Sequence, residues 1–183
     1  KGKIEAIKFN FLTEIKVSEA LEKLNLFLKE YIHENKIPNL ESKFDKELFN
    51  TFRSYINHKE FFPRGYEMHS DERGSFIELS KALSMGQSSY STTNSGVTRG
   101  NHFHTRKIER FSVIKGKAKI QLRKYLTDEI ISFELDGNSP SYVDMPIWFT
   151  HNITNIGDEE LLTFFWINEP YDPNDTDTYF ENV

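Results

Sequence analysis

The sequence has 183 residues, a formal net charge of −5 and 16 Phe, which fits a packed globular protein with one good core and excludes a disordered chain. The acidic balance argues against a nucleic-acid partner, which usually requires a basic face. The absence of cysteine excludes disulfides and thiolate ligands, so any metal must be held by histidine and carboxylate side chains.

The sequence contains no uninterrupted apolar run of membrane-spanning length and no signal peptide. We therefore expect no membrane insertion and a cytoplasmic location. The first residue is Lys1, not Met, which leaves open that the chain is a piece of a longer protein.

The N-terminal third has mainly helical periodicity. Partial alternation over residues 3–11 predicts a short strand. Ser18 predicts the N-cap of a first helix, whose apolar positions recur at helical spacing as far as Ile32. A second helix is predicted over about residues 42–56, and Pro63 marks the end of this helical part.

After Pro63 the apolar period changes from 3.6 to 2, which is typical of strands. Strands are predicted over residues 76–79, 88–92, 110–114, 118–123, 130–135, 142–144 and 161–167. Turns are predicted at Lys115-Gly116 and Asp136-Gly137. Many short strands with regular turns predict a mainly β sandwich or barrel behind a short N-terminal helical segment.

A group of histidines and one glutamate predicts a metal site. His102 and His104 are two residues apart, so on a strand they point to the same face. Glu109 follows after a short turn and is expected to face the same interior, and a closed barrel can bring His151 beside them. Three imidazoles and one carboxylate suit zinc, iron, manganese or nickel, and the sequence does not choose among them.

The same residues carry a resemblance to a known fold family. The spacing G-x5-H-x-H-x4-E-x6-G resembles the first cupin motif, and its residues are Gly96, His102, His104, Glu109 and Gly116. The second cupin motif is matched by Pro146, His151 and Asn155, while Trp148 stands where glycine is usual. The resemblance implies a cupin barrel, a double-stranded β-helix or jelly roll. Its alternative is a barrel with an empty or vestigial site.

A second resemblance concerns sugar nucleotides. Residues 71–78 are similar to the D-x-R-G-x-F-x-E segment of dTDP-4-keto sugar 3,5-epimerases, which are also cupin barrels. The resemblance implies that Arg73 meets a phosphate and that Phe76 or Glu78 lines the site. The alternative is that Arg73 and Glu78 are ordinary strand charges beside a glycine turn.

A longer resemblance extends over residues 44–183, which are similar to the C-terminal part of the family of the capsular polysaccharide synthesis enzyme CapF. The matching stretches are residues 44–48, 71–76, 100–104, 150–153, 166–169, 172–174 and 177–180. Such enzymes are bifunctional: a short-chain reductase half uses NADPH, and a zinc cupin half epimerises a UDP-4-keto-6-deoxy-N-acetylhexosamine at C3, toward an L-FucNAc precursor.

The CapF resemblance implies two parts. Residues 1–62 would be the helical tail of a reductase domain, and residues 63–183 the cupin domain. The glycine-rich dinucleotide loop is absent from the sequence, so NADPH would serve only the missing half and this chain should reduce nothing.

The resemblance also suggests roles for further residues. Lys107 is the candidate catalytic base, although any single lysine is more often solvated. Arg123 and Tyr142 are candidates for diphosphate contact and for an acid. A UDP-sugar substrate and a homodimer are expected. Three alternatives remain: an iron-dependent dioxygenase, a cupin module that only binds a sugar nucleotide, and a part whose main role is to hold a dimer together.

Overall fold

The structure, a computed structural model, describes residues 14–82, 86–139 and 141–183. The predicted strand over residues 3–11 lies outside them. The helices are α1 (Val17–Phe27), which continues as a π-helical turn (Leu28–His33), α2 (Lys43–Ser54) and α3 (His58–Phe61). No helix among the described residues is both long and apolar enough to cross a membrane.

The two long helices begin differently. The N-cap of α1 is Lys16, so the predicted cap at Ser18 is wrong; the backbone N–H of Lys16 instead donates to the Glu19 carboxylate at 3.3 Å. The second helix begins as predicted. Ser42 Oγ accepts from the backbone N–H of Asp45 at 3.0 Å, and the Asp45 carboxylate accepts from the N–H of Ser42 at 3.2 Å, which is a capping box.

The helices pack through an aromatic cluster. Phe27 and Phe49 are 2% and 4% exposed, and their rings meet edge to face at 5.1 Å. The backbone N–H of Ile37 donates to the Lys81 carbonyl at 2.8 Å, which ties the helical segment to the strands that follow. The assignment of residues 1–62 to a reductase stays a prediction.

Eleven strands occur in the described residues. They are β1 (Met68–Asp71), β2 (Gly74–Ala82), β3 (Gly86–Thr93), β4 (Thr98–Phe103), β5 (Glu109–Lys115), β6 (Lys117–Lys124), β7 (Ile130–Asp136), β8 (Ser141–Met145), β9 (Phe149–Asn155), β10 (Leu161–Ile167) and β11 (Tyr179–Phe180). Each strand predicted after Pro63 falls within one of them. Strands β1, β4, β9 and β11 have no counterpart in that prediction, although the predicted metal site assumed strands at His102 and His151.

The strands form two antiparallel sheets. The first has the order β1-β2-β3-β10-β5-β8 and the second the order β11-β4-β9-β6-β7. From β4 onward the chain crosses repeatedly between the sheets, and the predicted turns at Gly116 and Gly137 are two of these crossings. Gly116 has a φ of +84°, a conformation that glycine adopts without strain.

The two sheets close over one apolar core. Its members are Phe111, Val113, Ala118, Ile120, Leu122, Leu135, Met145, Ile153 and Leu161. They come from strands of both sheets, which alternate inward and outward side chains. The core fills one end of the interior and leaves a cavity beside it.

Strand β4 approaches β9 unusually closely. The pairing shifts register between Gly100 and His102, and Gly100 has a φ of +97°. A Cβ at this position would lie 2.8 Å from the carbonyl oxygen of His151. The irregularity leaves His102 directly opposite His151.

The change Gly100→Ala should therefore destabilise the protein by about 1–3 kcal/mol, because it adds a steric contact to backbone strain. Gly96→Ala is the matched control, since Gly96 also has a positive φ (+77°) but its Cβ would meet nothing within 4 Å. Urea unfolding of both variants checks this. An equal loss of stability in the two would show that the β4–β9 approach is not constrained.

Candidate metal centre

The four predicted ligands converge in the interior. His102 lies in β4, His104 just after it, Glu109 at the start of β5 and His151 in β9. One potential ligand atom from each lies within 4.8 Å of all the others. Since β4 and β5 belong to different sheets, Glu109 reaches the histidines across the barrel and not from a neighbouring strand.

Backbone carbonyls orient two of the imidazoles. Nδ1 of His104 lies 2.5 Å from the carbonyl oxygen of Asp177, and Nδ1 of His151 lies 3.1 Å from that of Phe149. A carbonyl oxygen can only accept, so each Nδ1 carries the proton, and in the neutral ring each Nε2 keeps its lone pair. Metal-ligating histidines are commonly held in this way.

The inward atoms have no hydrogen-bond partner among the described residues. Nε2 of His104 and of His151 lie 3.3 and 3.0 Å from Oε2 of Glu109, yet none of the three atoms makes a hydrogen bond of acceptable geometry. Buried polar atoms without partners are rare and need an explanation. A cation between them satisfies all three, so the donor set fits a divalent metal.

Electrostatics also favours a cation. Burial lowers the pKa of His102 to about 4, and the neighbouring His151 adds to the effect, so this ring is neutral at physiological pH. Burial opposes charge on Glu109, but His104 and His151 outweigh it and hold its pKa below the usual value. Burial likewise opposes charge on His104, but Glu109 outweighs it and raises the pKa of His104, so a bound metal would take the place of a proton between these two groups. A neutral imidazole and an ionised carboxylate are the forms that bind metal.

A cavity of about 450 Å³ opens beside the cluster. Its walls combine the apolar side chains of Phe76, Phe111, Ile153, Phe165 and Ile167 with polar ones. The polar side chains include Glu78, Gln87, Ser89, Ser91 and Arg99. A concave, mostly apolar site with a few converging polar groups is the usual form of a small-molecule site.

The predicted base lies at this cavity. Lys107 is 2% exposed, and its Nζ donates to the carbonyl oxygen of Thr176 at 2.8 Å. It is therefore not one of the solvated lysines that the sequence left as an alternative. Its catalytic role stays a prediction.

The predicted substrate-binding residues separate into two groups. Phe76 and Glu78 line the cavity, whereas Arg73, Arg123 and Tyr142 are not among the described residues that line it. The guanidinium of Arg123 donates to the Glu181 carboxylate and to backbone carbonyls, and the Tyr142 ring lies 3.9 Å from the guanidinium carbon of Arg110. Binding roles for Arg73, Arg123 and Tyr142 stay predictions.

Sequence reasoning missed three residues here. Arg99 and Gln87 line the cavity, and Asp177 is 5% exposed beneath the metal cluster. In β3 polar residues occupy both faces, so alternation could not show that Gln87 points inward. Asp177 lies in an acidic C-terminal segment without an apolar pattern, yet it is buried, and its carboxylate receives three backbone N–H groups.

The backbone at Trp148 is left-handed, with a φ of +62°, which explains why glycine is usual at this position. Its side chain is not among the described residues lining the cavity and is 45% exposed. Its ring stacks on Phe103 at 5.7 Å, and its backbone N–H donates to the carbonyl of His104 at 2.8 Å. The departure from the second motif thus leaves His151 in place.

Two antiparallel sheets closed around an interior histidine–carboxylate cluster define a cupin, which confirms the predicted fold class. The chain belongs to the family described as the polysaccharide biosynthesis C-terminal domain, which matches residues 69–179.

Individual relatives agree with this assignment. The chain is 37% identical over 134 residues to a UDP-2-acetamido-2,6-beta-L-arabino-hexul-4-ose reductase of Pseudomonas aeruginosa, covering 73% of this chain and 36% of that protein. A crystal structure of the capsular polysaccharide assembling protein CapF from Staphylococcus aureus is 39% identical, with a TM-score of 0.79, over 89% of this chain and 44% of that chain.

A second CapF crystal structure, in space group C2221, is 38% identical, with a TM-score of 0.81, over 92% of this chain and 49% of that chain. The predicted resemblance to the CapF family is confirmed. The chain spans about half the length of these solved relatives and about a third of the curated one.

Removing either central histidine should remove the metal. We expect His102→Ala and His151→Ala to lower the metal content at least several-fold, because each removes one of four ligands. His58→Ala, in α3 and outside the cluster, is the control. Elemental mass spectrometry of the purified proteins measures this, and unchanged content in both cluster variants would refute the site.

Proposed function

We propose that this domain catalyses metal-dependent epimerisation at C3 of a UDP-4-keto-6-deoxy-N-acetylhexosamine, in the biosynthesis of capsular or other surface polysaccharide. The observation that carries the proposal is that the metal cluster and the buried Lys107 face one cavity of about 450 Å³. The likeness to CapF and to a UDP-sugar reductase supports the substrate class.

Epimerisation next to a ketone needs two things: stabilisation of negative charge on the ketone oxygen, and a group that moves the C3 proton. When bound, a divalent metal supplies the Lewis-acid stabilisation. His102, His104, Glu109 and His151 would hold it, with zinc as the first candidate and iron, manganese or nickel as alternatives. The apolar walls formed by Phe111 and Phe165 exclude water, which strengthens these electrostatic effects.

Lys107 would be the group that moves the proton. Its Nζ is fixed by the Thr176 carbonyl at 2.8 Å, and Lys107 is a buried residue of the cavity lining. In its neutral form Nζ takes the proton from C3 and becomes an ammonium group, while the electron pair moves to the ketone oxygen as an enolate. A second acid then gives a proton to the opposite face of C3, which re-forms the ketone. A fixed amine at a mostly apolar wall suits general acid–base catalysis.

The polar wall would bind the rest of the nucleotide sugar. Gln87 Nε2 donates to Glu78 Oε1 and to Ser89 Oγ, both at 3.1 Å, so this side presents an ordered row of hydrogen-bonding groups suited to sugar hydroxyl and amide groups. Arg99 adds a positive charge to the lining, and Asp71 lies between it and Arg73. These two arginines are the proposed diphosphate contacts.

The remaining predictions belong to the larger protein that the relatives suggest. NADPH would serve a reductase half, for which this chain lacks the glycine-rich loop. A homodimer and a cytoplasmic location are proposed on the resemblance alone.

The central test is exchange of the C3 proton. In D2O, the zinc-loaded protein should incorporate deuterium at C3 of the 4-keto UDP-sugar, which NMR detects directly. Substrate binding without any exchange would favour a sugar-nucleotide binding module and end the epimerase proposal. Turnover that requires iron and oxygen would favour the dioxygenase.

The role of Lys107 has its own test. Lys107→Met should slow the exchange by about 100-fold or more while the metal content stays unchanged, since positioned acid–base groups contribute this much. Lys115→Met is the matched control, because Lys115 pairs with Glu159 on the surface. An exchange rate equal to that of the control would remove Lys107 from the mechanism.

A further inference from the structure

The C-terminal segment of residues 175–181, called here the strap, returns to the metal cluster from the far end of the sequence. Its strand β11 pairs with β4, so that Phe180 lies opposite His102. At its two ends, Arg106 binds the Asp175 carboxylate and Arg123 binds the Glu181 carboxylate. The strap is therefore fixed on both sides of its central residue, Asp177.

The carboxylate of Asp177 is surrounded by donors from one loop. It accepts from the backbone N–H groups of Thr105, Arg106 and Lys107, at 3.1, 3.0 and 3.0 Å, and from the Thr105 hydroxyl at 2.6 Å. The loop runs between β4 and β5, which lie in different sheets, so these N–H groups have no strand partner. Hydrogen bonds to an ionised acceptor are among the stronger ones in proteins.

The strap also contacts the functional side chains through its backbone. The carbonyl of Asp177 is the acceptor for Nδ1 of His104, and the carbonyl of the preceding Thr176 is the acceptor for Nζ of Lys107. One dipeptide of the strap thus fixes a metal ligand, the candidate base and the loop that joins them.

We propose that Asp177 is a positioning residue for the metal centre: its carboxylate holds the loop of residues 104–107 so that His104 Nε2 and Lys107 Nζ face the same cavity. Without the carboxylate, three buried or half-buried N–H groups lose their acceptor and the loop relaxes. The inference rests on the metal site of the proposed function and not on the reaction.

Zinc affinity measures this role without any substrate. Competition with a chromophoric chelator measures the dissociation constant for zinc. We expect Asp177→Ala to raise this constant roughly 10-fold or more, because groups that orient metal ligands typically contribute 10–100-fold to affinity. Asp177→Asn should raise it less. The absorption spectrum of the Co²⁺-substituted protein should shift as well, since it reports ligand geometry. Asp172→Asn is the matched control, because Asp172 is an exposed carboxylate of the same C-terminal segment that lies outside the strap and accepts from the backbone N–H of Asn174.

Unchanged zinc affinity and an unchanged Co²⁺ spectrum in folded Asp177 variants would overturn the inference. If both variants fail to fold, Thr105→Ala decides, since it removes only the hydroxyl donor. It should change the absorption spectrum of the Co²⁺-substituted protein, because a loosened loop alters the position of His104. A spectrum identical to that of the unchanged protein overturns the inference. Failure of the unchanged protein to bind zinc would instead refute the metal centre itself, and with it this inference.

Discussion

The metal centre depends on the close approach of β4 to β9 at Gly100, which has no side chain. Gly100 lets β4 come so near to β9 that an added Cβ would lie 2.8 Å from the His151 carbonyl. This approach, and the register shift beside it, bring the rings of His102 and His151 to 4.6 Å. Glu109 then reaches the pair from the opposite sheet, so both sheets must be closed before the cluster exists.

Closing the sheets buries charge and polar atoms, and hydrogen bonds to the backbone offset part of this cost. The Nδ1 atoms of His104 and His151 bind carbonyls, and the Asp177 carboxylate binds backbone N–H groups. Ten buried side-chain atoms in the described residues lack a hydrogen-bond partner, and three of them lie together, on His104, His151 and Glu109. Buried groups of this kind persist where function requires them, because an unpaired buried group otherwise lowers stability.

Much of the fold was predictable because most strands from β2 to β10 alternate or carry apolar runs between turn residues, although β3 and β4 do not. The predictions failed where local signals were weak. Strands β1 and β11 are short and exposed, so they have no apolar face to reveal them. The N-cap of α1 was misplaced because Ser18 is a good capping residue, yet the helix already begins at Val17.

By itself, the sequence determined the chemistry that the site offers: three imidazoles and a carboxylate at motif spacing, no thiol, and a resemblance that names a family. These are properties of residue type and short spacing, which alternation along a strand converts into a shared face. The tertiary structure alone decided which distant groups meet. Asp177 lies 73 residues from His104, and Arg99 joins a wall formed by other strands. Such contacts depend on how two sheets pack, and no local pattern encodes that packing.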